Sequence, residues 1–145
     1  MRGDCEEDTV LLGQMLEAAT SYLRKFDWCS GIGEVYFGDG VGGIAAVFLF
    51  RILPTEPGIQ AWYWVVVGDL PPAHLVTNDL KNPHDVLEAY MALRLRWVRY
   101  ALRNENPPPE IMPVLGVPPT AYWGNELLER IKDLNEHVLP YFRRE

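Results

Sequence analysis

Ile44-Ala45-Ala46-Val47-Phe48-Leu49-Phe50-Arg51-Ile52-Leu53, followed after seven residues by Ala61-Trp62-Tyr63-Trp64-Val65-Val66-Val67, is the part of the chain that decides the fold. Both runs are dense in β-branched and aromatic side chains, the residue types that fit a pleated, half-buried surface, and they predict two strands. The linker 54–60 is too short for a parallel crossover, which needs about a dozen residues or more, so the two strands are expected to pair as an antiparallel hairpin. In the first, Ile44, Ala46, Phe48, Phe50 and Ile52 share one face, while Val47, Leu49 and Leu53 share the other with the single charge Arg51. In the second, Trp62, Trp64 and Val66 oppose Tyr63, Val65 and Val67. An antiparallel sheet with one wet face alternates apolar with polar residues, and these strands do not. Both faces are therefore expected to be covered, by helices on two sides or by a second subunit.

Outward from this hairpin, Glu34 to Phe37 predicts a short strand, and the glycine-rich 38–43 predicts a turn or loop. On the other side Gly68-Asp69-Leu70-Pro71-Pro72 stops the strand, and Ala73 to Thr77 predicts a further short strand at a sheet edge. Three helices flank the strands. From about Asp8 to Asp27, Leu12, Met15, Leu16, Ala19, Tyr22, Leu23 and Phe26 recur at helical spacing, with Asp8 or Thr9 placed to cap the start. Asn82-Pro83 announces a second helix running to about Arg103, with Asn82 at the N-cap and Leu87, Tyr90, Met91, Leu95, Val98 and Leu102 on its core face. Thr120 caps a third, in which Trp123, Leu127, Ile131, Leu134 and Val138 repeat until Pro140. Residues 104–119 hold six of the twelve prolines and predict a rigid, extended surface connection. The expected fold is α+β: one domain over 1–145, an antiparallel sheet of three to four strands packed by three helices in α-β-β-β-α-α order, with 1–8 as a flexible acidic leader.

Composition narrows the function classes. In 145 residues with 48% hydrophobic side chains, including 5 Trp, 7 Tyr and 5 Phe, a disordered chain is excluded. A membrane-spanning helix is not expected, because the longest nearly uncharged stretch, Gly40 to Phe50, falls short of the ~20 residues a span needs. The acidic start lacks the apolar core of a signal peptide, and Cys5 and Cys29 suit a reducing compartment, so a cytoplasmic location is expected. The net charge of −7 disfavours nucleic acid, whose affinity for proteins comes mainly from phosphate neutralisation, and favours a basic partner protein. His74, His84 and His137 are scattered, and no metal or other cofactor is expected from their spacing.

Several features could carry chemistry. Gly38-x-Gly40-x-x-Gly43 has the spacing of a dinucleotide-binding loop, but a strand rather than a helix follows it, so a hairpin turn is the simpler reading. Asp69 follows an apolar strand, where scaffolds present catalytic groups, and His74 could form an acid–base pair with it. The plainer role of Asp69 is that of a turn residue accepting backbone N–H bonds. Cys29 beside Ser30 could be a loop nucleophile or an inert half-buried thiol. Arg96, Arg99 and Arg103, with Arg94 nearby, form a stripe that could grip an anion or simply be a solvated helix face. Tyr22, Trp28, Tyr36, Tyr122, Trp123 and Tyr141 are too many for one core, and aromatic residues anchor interfaces.

The string Trp62-Tyr63-Trp64-Val65-Val66-Val67-Gly68-Asp69-Leu70-Pro71-Pro72-Ala73-His74-Leu75, with Trp28-Cys29 and the glycine-rich run from Tyr36 to Ile44, resembles a group of small bacterial proteins of unassigned function. The resemblance spans Trp28 to Pro140. It implies a bacterial cytoplasmic origin and brings no activity or catalytic residues with it.

The sequence therefore predicts a non-enzymatic protein-binding module, of immunity or adaptor type, that binds a basic partner through residues such as Trp28, Tyr36, Asp69, Arg96, Arg99, Arg103 and Trp123. One alternative is a small-ligand binder or enzyme using the Gly38 to Gly43 loop with Asp69 and His74. Another is a homodimer formed through the second face of the sheet.

Overall fold

The computed structural model describes residues 5–145, and the order along them is α1 (Glu6–Arg24), β1 (Cys29–Val41), β2 (Ala45–Pro54), β3 (Trp62–Gly68), β4 (Leu70–Val76), α2 (Pro83–Ala101) and α3 (Ala121–His137), closed by a 3-10 turn at Leu139–Tyr141. The four strands form one antiparallel sheet in the order β1-β2-β3-β4. The fold is α+β, as the sequence predicts, with the order α-β-β-β-β-α-α. By internal contacts the chain divides into two units, 1–86 with 142–145 and 87–141, the boundary falling inside α2.

In the first unit the expected antiparallel hairpin forms, with Ala46 facing Val67, Phe48 facing Val65 and Phe50 facing Tyr63. Those six side chains lie on one face, where Leu12, Met15, Ala19, Tyr22 and Leu23 of α1 complete the core. Leu12, Phe48, Phe50 and Val65 are fully inaccessible, and burying each such side chain is worth about 1.5–3 kcal/mol. Ala45, Val47, Val66 and Ala73, on the opposite face, are inaccessible too, so both faces are covered over the middle of the sheet. Within this unit the segment leading into α2 lies on that second face. Trp64 Nε1 donates to the Leu80 carbonyl at 2.8 Å, closing the segment onto β3.

The glycine-rich region departs from expectation. Instead of a four-residue strand and a loop, β1 runs thirteen residues, and the turn is confined to Gly42, Gly43 and Ile44. Glycine has little intrinsic preference for strands, but pairing with β2 satisfies the backbone whatever the side chain. The irregularity is absorbed by register shifts at Cys29/Gly31, Ile32/Val35 and Phe37/Asp39, and edge strands tolerate such bulges. Gly40 is required by packing: a Cβ there would lie 2.8 Å from Ala46 Cβ and 2.9 Å from Leu12 Cδ2. Gly43, at φ +79°, takes the left-handed turn conformation. Asp39 closes this region, its Oδ1 accepting from Gly40 N–H at 2.9 Å and its Oδ2 from Arg143 N–H at 2.9 Å. Arg143 also donates to the Gly38 carbonyl, and its own carbonyl accepts from His84 N–H at 3.0 Å.

The described part of the expected 1–8 leader is largely helical. Glu6, Glu7 and Asp8 form the first turn of α1, and the cap is Cys5, whose Sγ accepts from Asp8 N–H at 3.4 Å, rather than Asp8 or Thr9. The remainder of the expected leader, 1–4, lies outside the described residues. The edge strand expected over 73–77 begins three residues earlier and includes Pro71 and Pro72, which an edge strand accepts because it needs fewer N–H donors.

In the second unit α2 ends at Ala101. Asn104, at φ +54°, reverses the chain as a left-handed cap, with Glu105 N–H donating to the Tyr100 carbonyl at 3.0 Å. The side-chain oxygen of Asn104 then accepts from Ala121 N–H at 2.9 Å, at the start of α3. Two expected core positions face solvent, Leu102 at 38% and Trp123 at 42% exposure. Gly124 is buried instead, because α3 approaches α2 so closely there that a Cβ would sit 3.1 Å from both Ala101 Cβ and Leu102 N. The proline-rich connection is not purely a surface strap, since Ile111 and Val114 are buried. Arg94 is buried too: Nη1 donates to the Pro113 carbonyl at 3.2 Å and the guanidinium lies over the Tyr90 ring.

Candidate functional site

The first unit contains a cavity of about 410 Å³ between α1 and the turns that end β1 and β3. Its α1 wall is Leu11, Gln14, Met15 and Ala18, spaced i, i+3, i+4 and i+7 and therefore on one helical stripe. Gly43, Val67, Gly68, Asp69, Leu70 and Pro72 form the sheet side. Three bonds fix these walls relative to each other. Asp8 Oδ1 accepts from Gly42 N–H at 2.6 Å, Met15 Sδ accepts from Gly43 N–H at 3.3 Å, and Asp69 N–H donates to the Ile44 carbonyl at 3.0 Å. Gly68 makes the last contact possible: at φ +151°, any Cβ would collide with the Ile44 carbonyl. Gly43 and Asp69, singled out from sequence for different reasons, thus line one cavity.

His74 lies on the α1-facing side of β4, opposite Val65. Its ring is surrounded by four aromatic rings, with centroids 5.0 Å from Phe26, 5.2 Å from Trp28, 5.6 Å from Tyr63 and 5.8 Å from Tyr22. The Tyr22 hydroxyl and His74 Nδ1 share a hydrogen bond of 2.7 Å. Trp28 stacks on Phe26 at 4.8 Å and is half-buried, and Tyr22 is buried, so neither is the exposed anchor the sequence suggested. Burial, and secondarily the neighbouring Cys29, push the Tyr63 hydroxyl pKa up. Cys29 is buried, with its Sγ donating to the Gly31 carbonyl at 3.4 Å. His74 is not among the residues lining the cavity.

The second face of the sheet is exposed at one end. Tyr36 is 52% exposed and stacks on Trp62 with ring centroids 6.3 Å apart and planes at 22°. Beside them Leu53 is exposed, and Arg51 pairs with Glu34 at 3.3 Å while lying flat against Gly33, where a Cβ would strike its guanidinium. Tyr36 was legible as an exposed aromatic. Trp62 as its partner was not, because the pairing depends on the register of β1, which the glycine run concealed.

The remaining candidates lie in the second unit. Arg96 and Arg99 are exposed on α2, and Arg103, exposed in the turn just past its end, stacks over Tyr100 and pairs with Glu105 at 3.8 Å. Trp123 meets Tyr122 edge to face at 4.9 Å. Charge is divided unequally: the first unit carries thirteen Asp and Glu against seven Lys and Arg, the second seven against six. Among the described residues, no three His, Cys, Asp or Glu side chains converge as a metal site, and no helix is long and apolar enough to cross a membrane. No protein-family model, no curated protein and no solved structure matches the chain.

Proposed function

We propose that the protein is a non-enzymatic protein-binding module of the bacterial cytoplasm, of immunity or adaptor type, that docks a basic partner on the exposed end of the sheet. The observation that carries this reading is the stacked pair Tyr36 and Trp62, flanked by Leu53 and by the Glu34–Arg51 ion pair. Tyr and Trp are the residues whose truncation most often weakens an interface by 2 kcal/mol or more, about 30-fold in affinity. Their surroundings belong to the unit that carries most of the net negative charge, which steers a basic partner toward it. The two free thiols agree with a reducing compartment. Affinity capture from the source cell with the wild-type chain and with Tyr36→Ser/Trp62→Ser tests the proposal. A basic protein should be retained stoichiometrically by the wild type, released by added salt and lost with the double variant. Equal retention by the variant, or recovery of the chain alone, would count against it, and the latter together with a dimer in sedimentation would favour self-association.

A second reading, a small-ligand binder or enzyme using the glycine loop, Asp69 and His74, is favoured by one observation: the cavity brings Gly43 and Asp69 together. Asp69→Asn would alter ligand binding under that reading and leave partner capture unchanged, whereas His74, outside the cavity lining, would not contribute to it directly.

A further inference from the structure

We propose that residues 143–145 are a built-in competitor, occupying a slot on β1 that takes an extended, arginine-bearing segment of the basic partner; this rests on the docking reading above and adds what the surface grips and what restrains it.

The slot lies between β1 and the first turn of α2, and the chain's own segment is held there as a bound peptide would be, through backbone and side chains together. Arg143 N–H donates to Asp39 Oδ2 at 2.9 Å, the Arg143 carbonyl accepts from His84 N–H at 3.0 Å, and the Arg143 guanidinium donates to the Gly38 carbonyl. Arg144 donates to His84 Nε2 at 3.1 Å, a direction fixed by chemistry because a guanidinium has no acceptor. Asp85 stands behind that ring, its Oδ1 3.5 Å from His84 Nδ1. The slot therefore offers the arriving backbone an acceptor and a donor, and offers the arriving side chains a carbonyl oxygen, a ring nitrogen and a negative surround. Two guanidinium groups match it, since each is a planar fork of donors with a permanent positive charge.

Its position ties it to the docking surface. Gly38 is two residues along β1 from Tyr36, and a Cβ there would lie 3.4 Å from Trp64 Cζ3, so the slot continues the face that carries Tyr36 and Trp62. Phe142 is buried, whereas Arg143, Arg144 and Glu145 are exposed. The segment is thus anchored at its root and held beyond it at the surface by hydrogen bonds, the class of contact that opens first. A partner's arginines can replace Arg143 and Arg144 like for like. If the segment occupies the slot nine-tenths of the time, the partner's apparent affinity for the slot is about tenfold weaker than for the open form.

The test compares three ¹⁵N-labelled chains, the wild type, a chain ending at Phe142, and full-length Arg143→Gln/Arg144→Gln, which keeps the backbone bonds should the truncation unfold. Each is titrated with blocked Gly-Arg-Arg-Gly and with its lysine and glutamine counterparts, and amide shifts are followed. The arginine peptide should shift Gly38, Asp39, Gly40, His84 and Asp85, bind both variants about tenfold more tightly than the wild type, and exceed the lysine and glutamine peptides. In affinity capture from the source cell, both variants should hold the basic protein to higher salt than the wild type does. Equal peptide binding by all three chains, or equal binding of the lysine and arginine peptides, would overturn the slot. Capture of the basic protein to the same salt by all three chains would overturn the competition and leave the docking reading standing. Tighter peptide binding by the variants with capture only of further copies of this chain would assign the slot to exchange of this segment between copies, overturning both the heterologous occupant and the docking reading.

Discussion

Replacing Gly40 with alanine separates a packing role from a phosphate-binding role for the glycine string. The new Cβ would stand 2.8 Å from Ala46 Cβ and 2.9 Å from Leu12 Cδ2, against an ordinary carbon–carbon contact of about 3.5–4.0 Å. Ala46 and Leu12 are both fully inaccessible, so neither has open space to move into. Overpacking of this kind costs about 1–3 kcal/mol, offset by the roughly 0.5–1 kcal/mol that alanine gains over glycine in a strand. The net expectation is a loss of about 1–2 kcal/mol, a fall in Tm of roughly 2–8 °C for a chain of this length. Urea unfolding should show a lower midpoint with an unchanged slope. Ala46 is the Cα partner of Gly40, so Gly40→Ala/Ala46→Gly should recover about 1 kcal/mol relative to additivity of the single variants. A Gly40→Ala protein as stable as the wild type, or additive single and double variants, would refute the packing account.

Three further perturbations probe other contacts. Tyr22→Phe keeps the ring but removes the bond to His74 Nδ1, and should lower the unfolding free energy by about 0.5–1.5 kcal/mol in chemical denaturation. Asn82→Ala deletes the cap whose Oδ1 accepts from Asp85 N–H at 2.8 Å and whose amide donates to the Asp85 carboxylate at 3.0 Å; the expected loss is about 0.5–2 kcal/mol, with Asn82→Asp close to wild type. Burial pushes the Tyr90 hydroxyl from 10.0 up to about 12 although Arg94 pulls the other way. Below pH 10.0 that phenol is neutral in both folded and unfolded chains. Between there and about 12 the unfolded chain releases its proton first, so stability falls as pH rises, by roughly 2–3 kcal/mol, and Tyr90→Phe should flatten that slope.

How much of this was readable beforehand depended on whether the determining signal was local. The β2–β3 hairpin was legible because its side chains alternate cleanly and its linker forbids the parallel alternative. The extent of β1 was not, since glycine carries no face preference and the pairing is imposed by β2. Two signals were present but subordinate. Leu11, Gln14, Met15 and Ala18 form a second stripe beside the core stripe of α1, and Arg94 sits three residues after Met91 and four before Val98, on the buried side of α2. An arginine among apolar neighbours reads as surface until a carbonyl such as that of Pro113 is placed to receive it. The His74 cluster draws on residues 22, 26, 28 and 63, brought together only by the sheet register and the packing of α1. Asp69 was correctly placed at a strand end, but its cavity required knowing that Gly43 folds against α1.

The central claim, that the exposed sheet end around Tyr36 and Trp62 docks a basic protein, is tested most directly by placing a photo-crosslinking phenylalanine analogue at Tyr36 and irradiating the intact source cell. The account predicts one dominant adduct with a heterologous protein of high isoelectric point, reduced by Trp62→Ser and by raised ionic strength in lysate. Adducts only with further copies of this chain, or an adduct pattern indifferent to Trp62, would contradict it.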